Sequence, residues 1–398
     1  MKTSVRLALA AVAALGATSA YATNGDHLIG LGAKARGMGG IGIGMSHGAE
    51  SALANPAMIT EVPATEISFG GTIFMPDVKY DGGAGYRQSD ADLNVIPEVS
   101  IAAKINDNLY LGVGMWGTGG MGTDYREDAS GTTMQMVTNL QLMQFGVPVA
   151  YTSHGLSIGA TAIVQYGALD INYNNGTTVG SGIAQDIALG YTLGASYDLD
   201  ETGITGAKVG FVYKSAITMD YKDQLTNATA PFASAGVTGI SSELEQPAEY
   251  GAGLSYTLGG HTAAFDYKRI AWSDATGYKD FGWEDQDVFM VGYQFTSDLG
   301  QLRAGYNYAK SPIKELDWMS NGGAALNMFN LLGFPATVEQ HFTLGGTYNL
   351  NETLACDLAF AYAPETEERF TSANLSGPYE IGSKHSQTSV SLQVTYTF

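Results

Sequence analysis

The stretch DIALGYTLGASYD, residues 186–198, alternates without a break. Ile187, Leu189, Tyr191, Leu193, Ala195 and Tyr197 hold one parity; Asp186, Ala188, Gly190, Thr192, Gly194 and Ser196 hold the other. Side chains of an extended chain point to opposite faces in turn, so one face of this segment suits lipid and the other is small or polar. The chain ends the same way: Val390, Leu392, Val394, Tyr396 and Phe398 interleave with Ser389, Ser391, Gln393, Thr395 and Thr397.

Outward from these two segments, the same period predicts strands over about 66–80, 94–105, 108–118, 136–152, 156–171, 186–199, 207–222, 246–258, 261–272, 285–297, 301–312, 337–350, 353–363 and 385–398, about 14 in all. Their connections alternate in kind. Tight turns follow the even strands, as at 106, 153, 259, 298 and 351, whereas long polar connections follow the odd ones, as at 119–135, 223–245, 313–336 and 364–384. Short turns on one side and long loops on the other are the anatomy of an outer-membrane barrel, a segregation that a soluble β-sandwich does not need. Tyr151, Tyr197, Tyr256, Phe295, Tyr348 and Phe398 lie near the short turns or the C-terminus, where an aromatic girdle belongs. In lipid only closure satisfies every strand's backbone, so the expected fold class is all-β: a closed transmembrane antiparallel β-barrel over 66–398.

Residues 1–22 read as a cleaved signal peptide, with Lys2 and Arg6, an apolar run from Leu7 to Ala17, and Ala20-Tyr21-Ala22 as the cleavage signal. That run is too short to span a bilayer, and no later run approaches the ~18 apolar residues of a membrane helix. Without the leader, 17 basic residues face 39 acidic ones, a net charge of −22. Such a balance excludes nucleic acid as a partner, because phosphates need Lys and Arg. It suits acidic loops in the cation-rich layer of outer-membrane lipid and lipopolysaccharide. The single Cys356 rules out an internal disulfide and a Cys-based zinc site. Gly37-Met38-Gly39-Gly40-Ile41-Gly42 matches a dinucleotide fingerprint, but no strand precedes it and no βαβ unit surrounds it. Six scattered histidines give no metal-ligand spacing, and no nucleophile elbow occurs. A triad assembled from distant strands would leave no local mark. The chain is expected not to be an enzyme and to need no cofactor or metal.

Strand parity turns Glu98, Lys214, Asp266, Lys268, Arg303, Glu339 and His341 inward. Lys214, Lys268 and Arg303 are candidates to meet an anionic ligand head; the competing reading is a mutually paired lumen network. The connection 318–336, WMSNGGAALNMFNLLGFPA, is unusually apolar for an external loop. Its Met328, Phe329, Leu331, Leu332 and Phe334 predict either an exposed binding groove or a lid folded inward. The third strand carries Gly112, Gly114, Gly117, Gly119 and Gly120, which suits a bend or bulge. Residues 23–65 are rich in Gly, Ala and Met and poor in charge, so they belong inside the lumen as a small plug rather than in water. Within them Asn55-Pro56-Ala57 makes a rigid corner, because Pro56 stops a helix and Asn55 can satisfy backbone groups.

Two stretches carry a resemblance. GLGAKARGMGGIGIG at 30–44 with ESALANPAMIT at 50–60 resembles the N-terminal hatch of the long-chain fatty acid transporter (FadL) family, and FPATVEQHFTLGGTY at 334–348 looks like that family's late-strand signature. The resemblance implies a 14-stranded barrel plugged by the hatch, with Asn55, Pro56 and Ala57 as the hatch motif. It implies capture of a hydrophobic ligand by an apolar loop groove, passage to a lumen pocket, gating by hatch movement, and lateral exit at a kink in the third strand. The kink maps onto Gly114, Gly117, Gly119 and Gly120. The expected function is passive outer-membrane transport of long-chain fatty acids or similar hydrophobic compounds, hydrocarbons included. A general porin for small polar solutes and a surface adhesin stand as rivals. Phe398 is the expected signal for the barrel-assembly machinery, and a monomer is expected.

Overall fold

A computed structural model of the chain describes residues 23–398; the leader expected over 1–22 lies outside the described residues. The wall consists of β1 (Thr65–Asp81), β2 (Asn94–Lys104), β3 (Leu109–Asp124), β4 (Val137–Ser153), β5 (Leu156–Asn174), β6 (Ala184–Asp198), β7 (Ala207–Lys214), β8 (Glu249–Leu258), β9 (His261–Ile270), β10 (Gln286–Ser297), β11 (Gly300–Ala309), β12 (Gln340–Asn349), β13 (Leu354–Asn374) and β14 (Gly377–Thr397). Neighbours in sequence pair antiparallel, and β14 returns to β1 with Thr397 opposite Glu66 and Gly382 opposite Asp81. The 14-stranded antiparallel barrel is therefore closed, as the alternation and the loop parity require.

Parity holds face by face. Ile187, Leu189 and Leu193 are exposed on the outer wall of β6, while Thr192 and Ser196 are buried inside. Tyr151, Tyr256, Phe295, Tyr348 and Phe398 point outward near the short-turn end. Tyr191, Tyr213 and Tyr250 form a cross-strand aromatic row, with ring centroids 6.0 and 5.3 Å apart.

Two expected boundaries are corrected. The connection over 364–384 is not a loop: β13 and β14 run on as one hairpin, from Thr366 opposite His385 to Asn374 opposite Gly377. Above the membrane both faces are wet, so the ladder continues there without apolar alternation. The strand expected over 207–222 leaves the wall after Lys214; Ile217–Asp220 pairs instead with Glu243–Gln246 in a separate two-stranded sheet. Among the described residues, four α-helices lie outside the wall ladder: α1 (Gly32–Arg36), α2 (Ser51–Ala54), α3 (Gln224–Thr229) and α4 (Gly323–Leu332).

Candidate functional site

Residues 23–62 lie within the barrel and are almost wholly buried. Asn55 is extended and caps the turn Pro56–Glu61: its side chain accepts from Ala57 N at 3.2 Å and donates to Ile43 O at 2.9 Å and to Ala195 O on β6 at 3.3 Å. Pro56 occupies the first turn position, where a missing N–H costs nothing. The wall makes room with glycine: a Cβ on Gly194 would sit 2.0 Å from Asn55 Oδ1, and one on Gly159 would sit 2.6 Å from Ala57 N. Equivalent backbone-on-backbone contacts join Gly44 to Gly253, Met38 to Gly305 and Gly37 to Gly345. Polar anchors complete the attachment. Asp266 accepts from the backbone N–H of Gly42, Ile43 and Gly44 at 2.7, 2.7 and 3.0 Å. Arg36 reaches Glu98 at 3.0 Å and Thr72 at 2.6 Å.

The wall pairing is interrupted beside β3, as it is above Thr192 where β7 leaves β6. β2 pairs with β1 along Asn94–Ala103, but with β3 only from Lys104 opposite Tyr110 to Glu98 opposite Trp116. Beyond Trp116 the next β2 residue is Pro97, which has no backbone donor to offer. There the β3–β4 register shifts between Gly117 and Gly119, an extra residue that bends β3 inward. Gly119 pairs with His27 instead, and Gly120 N donates to Asp26 O at 2.9 Å. The chain closes again where Asp124 N meets Ser89 Oγ at 2.9 Å and Asp90 N meets Asp124 O at 2.8 Å. The result is a bounded window in the hydrogen-bond ladder between Val95–Pro97 and Gly117–Gly119, filled by the buried Ile96 side chain packed against Gly117.

Thr118, at the bulge, lines a cavity of about 50 Å³ with Leu31, Leu53, Ile163, Tyr191 and Ile217. A second cavity of similar size lies against Ile29, Ile43, Val212 and Met290. The two share Leu28, Leu31, Lys214, Glu249 and Lys268. A larger lumen space, about 390 Å³, is at the short-turn end among Glu61, Asp198, Asp200, Lys208 and Gln294; it is polar and shares no lining residue with the other two.

Above the lumen, α4 is folded inward. Asn330 accepts from Trp283 Nε1 at 3.1 Å and donates to Phe281 O at 2.9 Å; Asn327 ties Leu316 to Thr371. Thr123 on β3 and Thr138 on β4 donate to the carbonyls of Leu332 and Gly333 at 2.9 and 2.5 Å. An apolar recess between the loops is lined by Met121, Leu140, Leu225, Leu244, Phe281, Trp283 and Phe334.

A barrel of 14 strands with an inserted N-terminal segment and a break beside the third strand is a specific combination. The family model described as "Outer membrane protein transport protein (OMPP1/FadL/TodX)" matches residues 9–398. The chain belongs to this family. It is an outer-membrane protein. Among curated relatives, it is 21% identical to outer membrane protein P1 of Haemophilus influenzae over 84% of this chain and 86% of that one. It is 29% identical to the long-chain fatty acid transport protein of Salmonella typhi over 28% of each chain. It is 35% identical to an uncharacterized Chlorobium limicola protein over 27% of this chain, spanning just over half, 56%, of that relative's length. Among solved structures, a Pseudomonas aeruginosa FadL homologue superposes with a TM-score of 0.71 at 15% identity, covering 94% of this chain and 100% of that one. The Pseudomonas putida toluene transporter TodX superposes at 0.66 and 18% identity, covering 93% and 99%.

Within this FadL-family barrel the expected site residues separate. Asn55, Pro56 and Ala57 form the corner against β5 and β6 described above. Lys214 and Lys268 come together beside Glu249, at 3.3 and 3.0 Å. Arg303 does not join them: it pairs with Asp357 at 3.6 Å and with Gln294 and Thr347 at 2.8 Å each, so its head-group candidacy is corrected to a wall contact. Gly117, Gly119 and Gly120 flank the bulge, but Gly114 lies in regular ladder opposite Gly146 and leaves a slot for the Trp116 indole. Of the five loop residues, Phe334 alone lines the recess; Met328, Phe329, Leu331 and Leu332 belong to α4 and are buried in its packing. Phe329 packs edge-on against Tyr173, Phe232 and Phe281, so the inward lid, not the exposed groove, is the arrangement found. Sequence reasoning missed Leu225, Leu244, Phe281 and Trp283. The available signal was apolar side chains in other long connections, which one-loop inspection does not combine.

Proposed function

We propose that this chain is a passive importer of hydrophobic small molecules, captured in the recess around Phe334, passed to the cavities beneath, and released sideways through the window beside β3. The observation that carries the reading is the bulge residue Thr118, which borders the window and lines the lumen cavity at once. Lateral release fits the chemistry: burial of an alkyl chain is worth about 0.8 kcal/mol per CH₂, and the lipid beyond the window preserves that gain. The polar space at the short-turn end would forfeit it. Met121 and Leu140 put β3 and β4 in the recess as well, so β3 borders both ends of the route.

The gate in this reading is residues 23–31 rather than the inserted segment as a block. From Gly37 to Ala57 the segment lies backbone to backbone on wall glycines, which leaves no slack for rigid-body motion. Residues 26–28 are attached through the bent part of β3, where Gly119 and Gly120 make the contacts, and through side-chain contacts of Asp26 and His27 with Gln246, Tyr278 and Glu249. The relatives named for fatty acid and toluene transport agree with a hydrophobic cargo. The test is uptake by cells deleted for their own importer: labelled long-chain fatty acids, their esters and toluene are supplied in turn. Restored uptake of at least one class is expected; failure with all three overturns the proposal.

A further inference from the structure

Glu249 occupies the place where a charged ligand head would bind. Register explains how: Lys214 on β7 is directly opposite Glu249 on β8, and Lys268 on β9 lies diagonally across, opposite Gly251. Lys214 Nζ and Lys268 Nζ therefore converge on the two oxygens of one carboxylate, at 3.3 and 3.0 Å. His27 Nδ1 approaches the same carboxylate at 3.2 Å. All four side chains line the cavity at the window, and the two lysines and Glu249 line the second cavity too.

The neighbourhood has no spare positive charge. Asp26 lies 3.6 Å from His27, and Asp266, two residues before Lys268, holds the segment at Gly42–Gly44. Three carboxylates thus face two ammonium groups and one imidazole. A fatty acid carboxylate entering here would have to displace Glu249 and leave it buried without its partners, a costly exchange. A molecule with an uncharged head incurs no such cost and can use Leu28 and Leu31, which run through both cavities.

We propose that Glu249 is a specificity-determining residue, an internal mimic of a ligand carboxylate, and that it selects uncharged hydrophobic molecules over long-chain anions. This rests on the import reading above. The test compares oleate with methyl oleate, which share one chain and differ in head charge, by titration of the full chain in one non-ionic detergent. The native chain is expected to bind methyl oleate at least tenfold more tightly than oleate. Glu249→Gln, with its fold checked by unboiled gel mobility, is expected to shift the oleate-to-methyl-oleate affinity ratio at least tenfold toward oleate, because both lysines then lack a partner. If the native chain binds oleate as tightly as its ester, or if the folded variant leaves the ratio unmoved, the selection by Glu249 is overturned while import stands. If the native chain binds neither probe, this inference is overturned and the import reading then rests on toluene uptake alone. The native comparison needs no variant, so the inference stays testable should Glu249→Gln fail to fold.

Discussion

Asn55 satisfies its own turn, the neighbouring strand-like stretch at Ile43 and the wall at Ala195 with one amide. No smaller polar side chain reaches all three. Because Gly194 lies 2.0 Å from its oxygen once a Cβ is added, Gly194→Val must push the corner inward. Overpacking of this kind costs about 1–3 kcal/mol. Uptake is expected to fall severalfold for Gly194→Val and for Ala57→Leu, with unboiled gel mobility still reporting a closed barrel; unchanged uptake would mean that the corner does not shape the route. His47 makes a second prediction. It is buried, its Nε2 lies 2.7 Å from Ile41 O, and burial pushes its pKa down to about 3. A histidine kept neutral in the folded state stabilises fully above its ordinary pKa of about 6.5 and loses that contribution as pH falls from 6.5 toward 3. Limited proteolysis of residues 38–60 should therefore accelerate between pH 7.5 and pH 5, and His47→Gln should flatten that dependence.

β3 is the element on which the proposed route depends, and its break has a built-in handle. A Cβ at Gly117 would lie 3.7 Å from Ile96 Cβ across the window. Disulfides span Cβ atoms about 3.8 Å apart, so Ile96→Cys with Gly117→Cys should cross-link the wall without moving it. Oxidation is expected to stop uptake and reduction to restore it; uptake indifferent to the cross-link would exclude the window as the exit. α4 offers the contrasting case. Asn330→Ala strips Trp283 Nε1 and Phe281 O of their partner inside an apolar cluster, which costs about 1–3 kcal/mol. The loss is local, so protease should cut 311–336 sooner while barrel unfolding is unchanged. The hairpin β13–β14 carries a lesson in legibility. Its outer part, with Glu365, Glu367, Arg369 and Lys384, is charged on a wet face, and a strand with water on both sides has no apolar rhythm to read.

At the scale of the molecule, the inserted segment decides between import and simple diffusion. The wall glycines of β5 to β12 and the anchors at Asp266 and Glu98 fix 32–60 across the lumen. Planar bilayers holding the native chain should carry little ion current, whereas deletion of residues 23–62 should raise conductance at least tenfold. Large steady currents from the native chain would favour the porin reading.

Alternation alone was enough for the strand number, the outward face and the parity of short turns and long loops, because lipid imposes its demand residue by residue. The resemblance at 30–60 pointed to what fills the lumen, and Asn55-Pro56 marked its corner through local backbone chemistry. Parity could turn Lys214, Lys268 and Arg303 inward, but it could not say that Glu249 stands between the first two while Asp357 takes the third. That outcome depends on register between strands far apart in the chain, and so does the window, where Pro97 happens to face Gly117. Which side chains a closed sheet brings opposite one another is a property of the closure, and no single segment contains it.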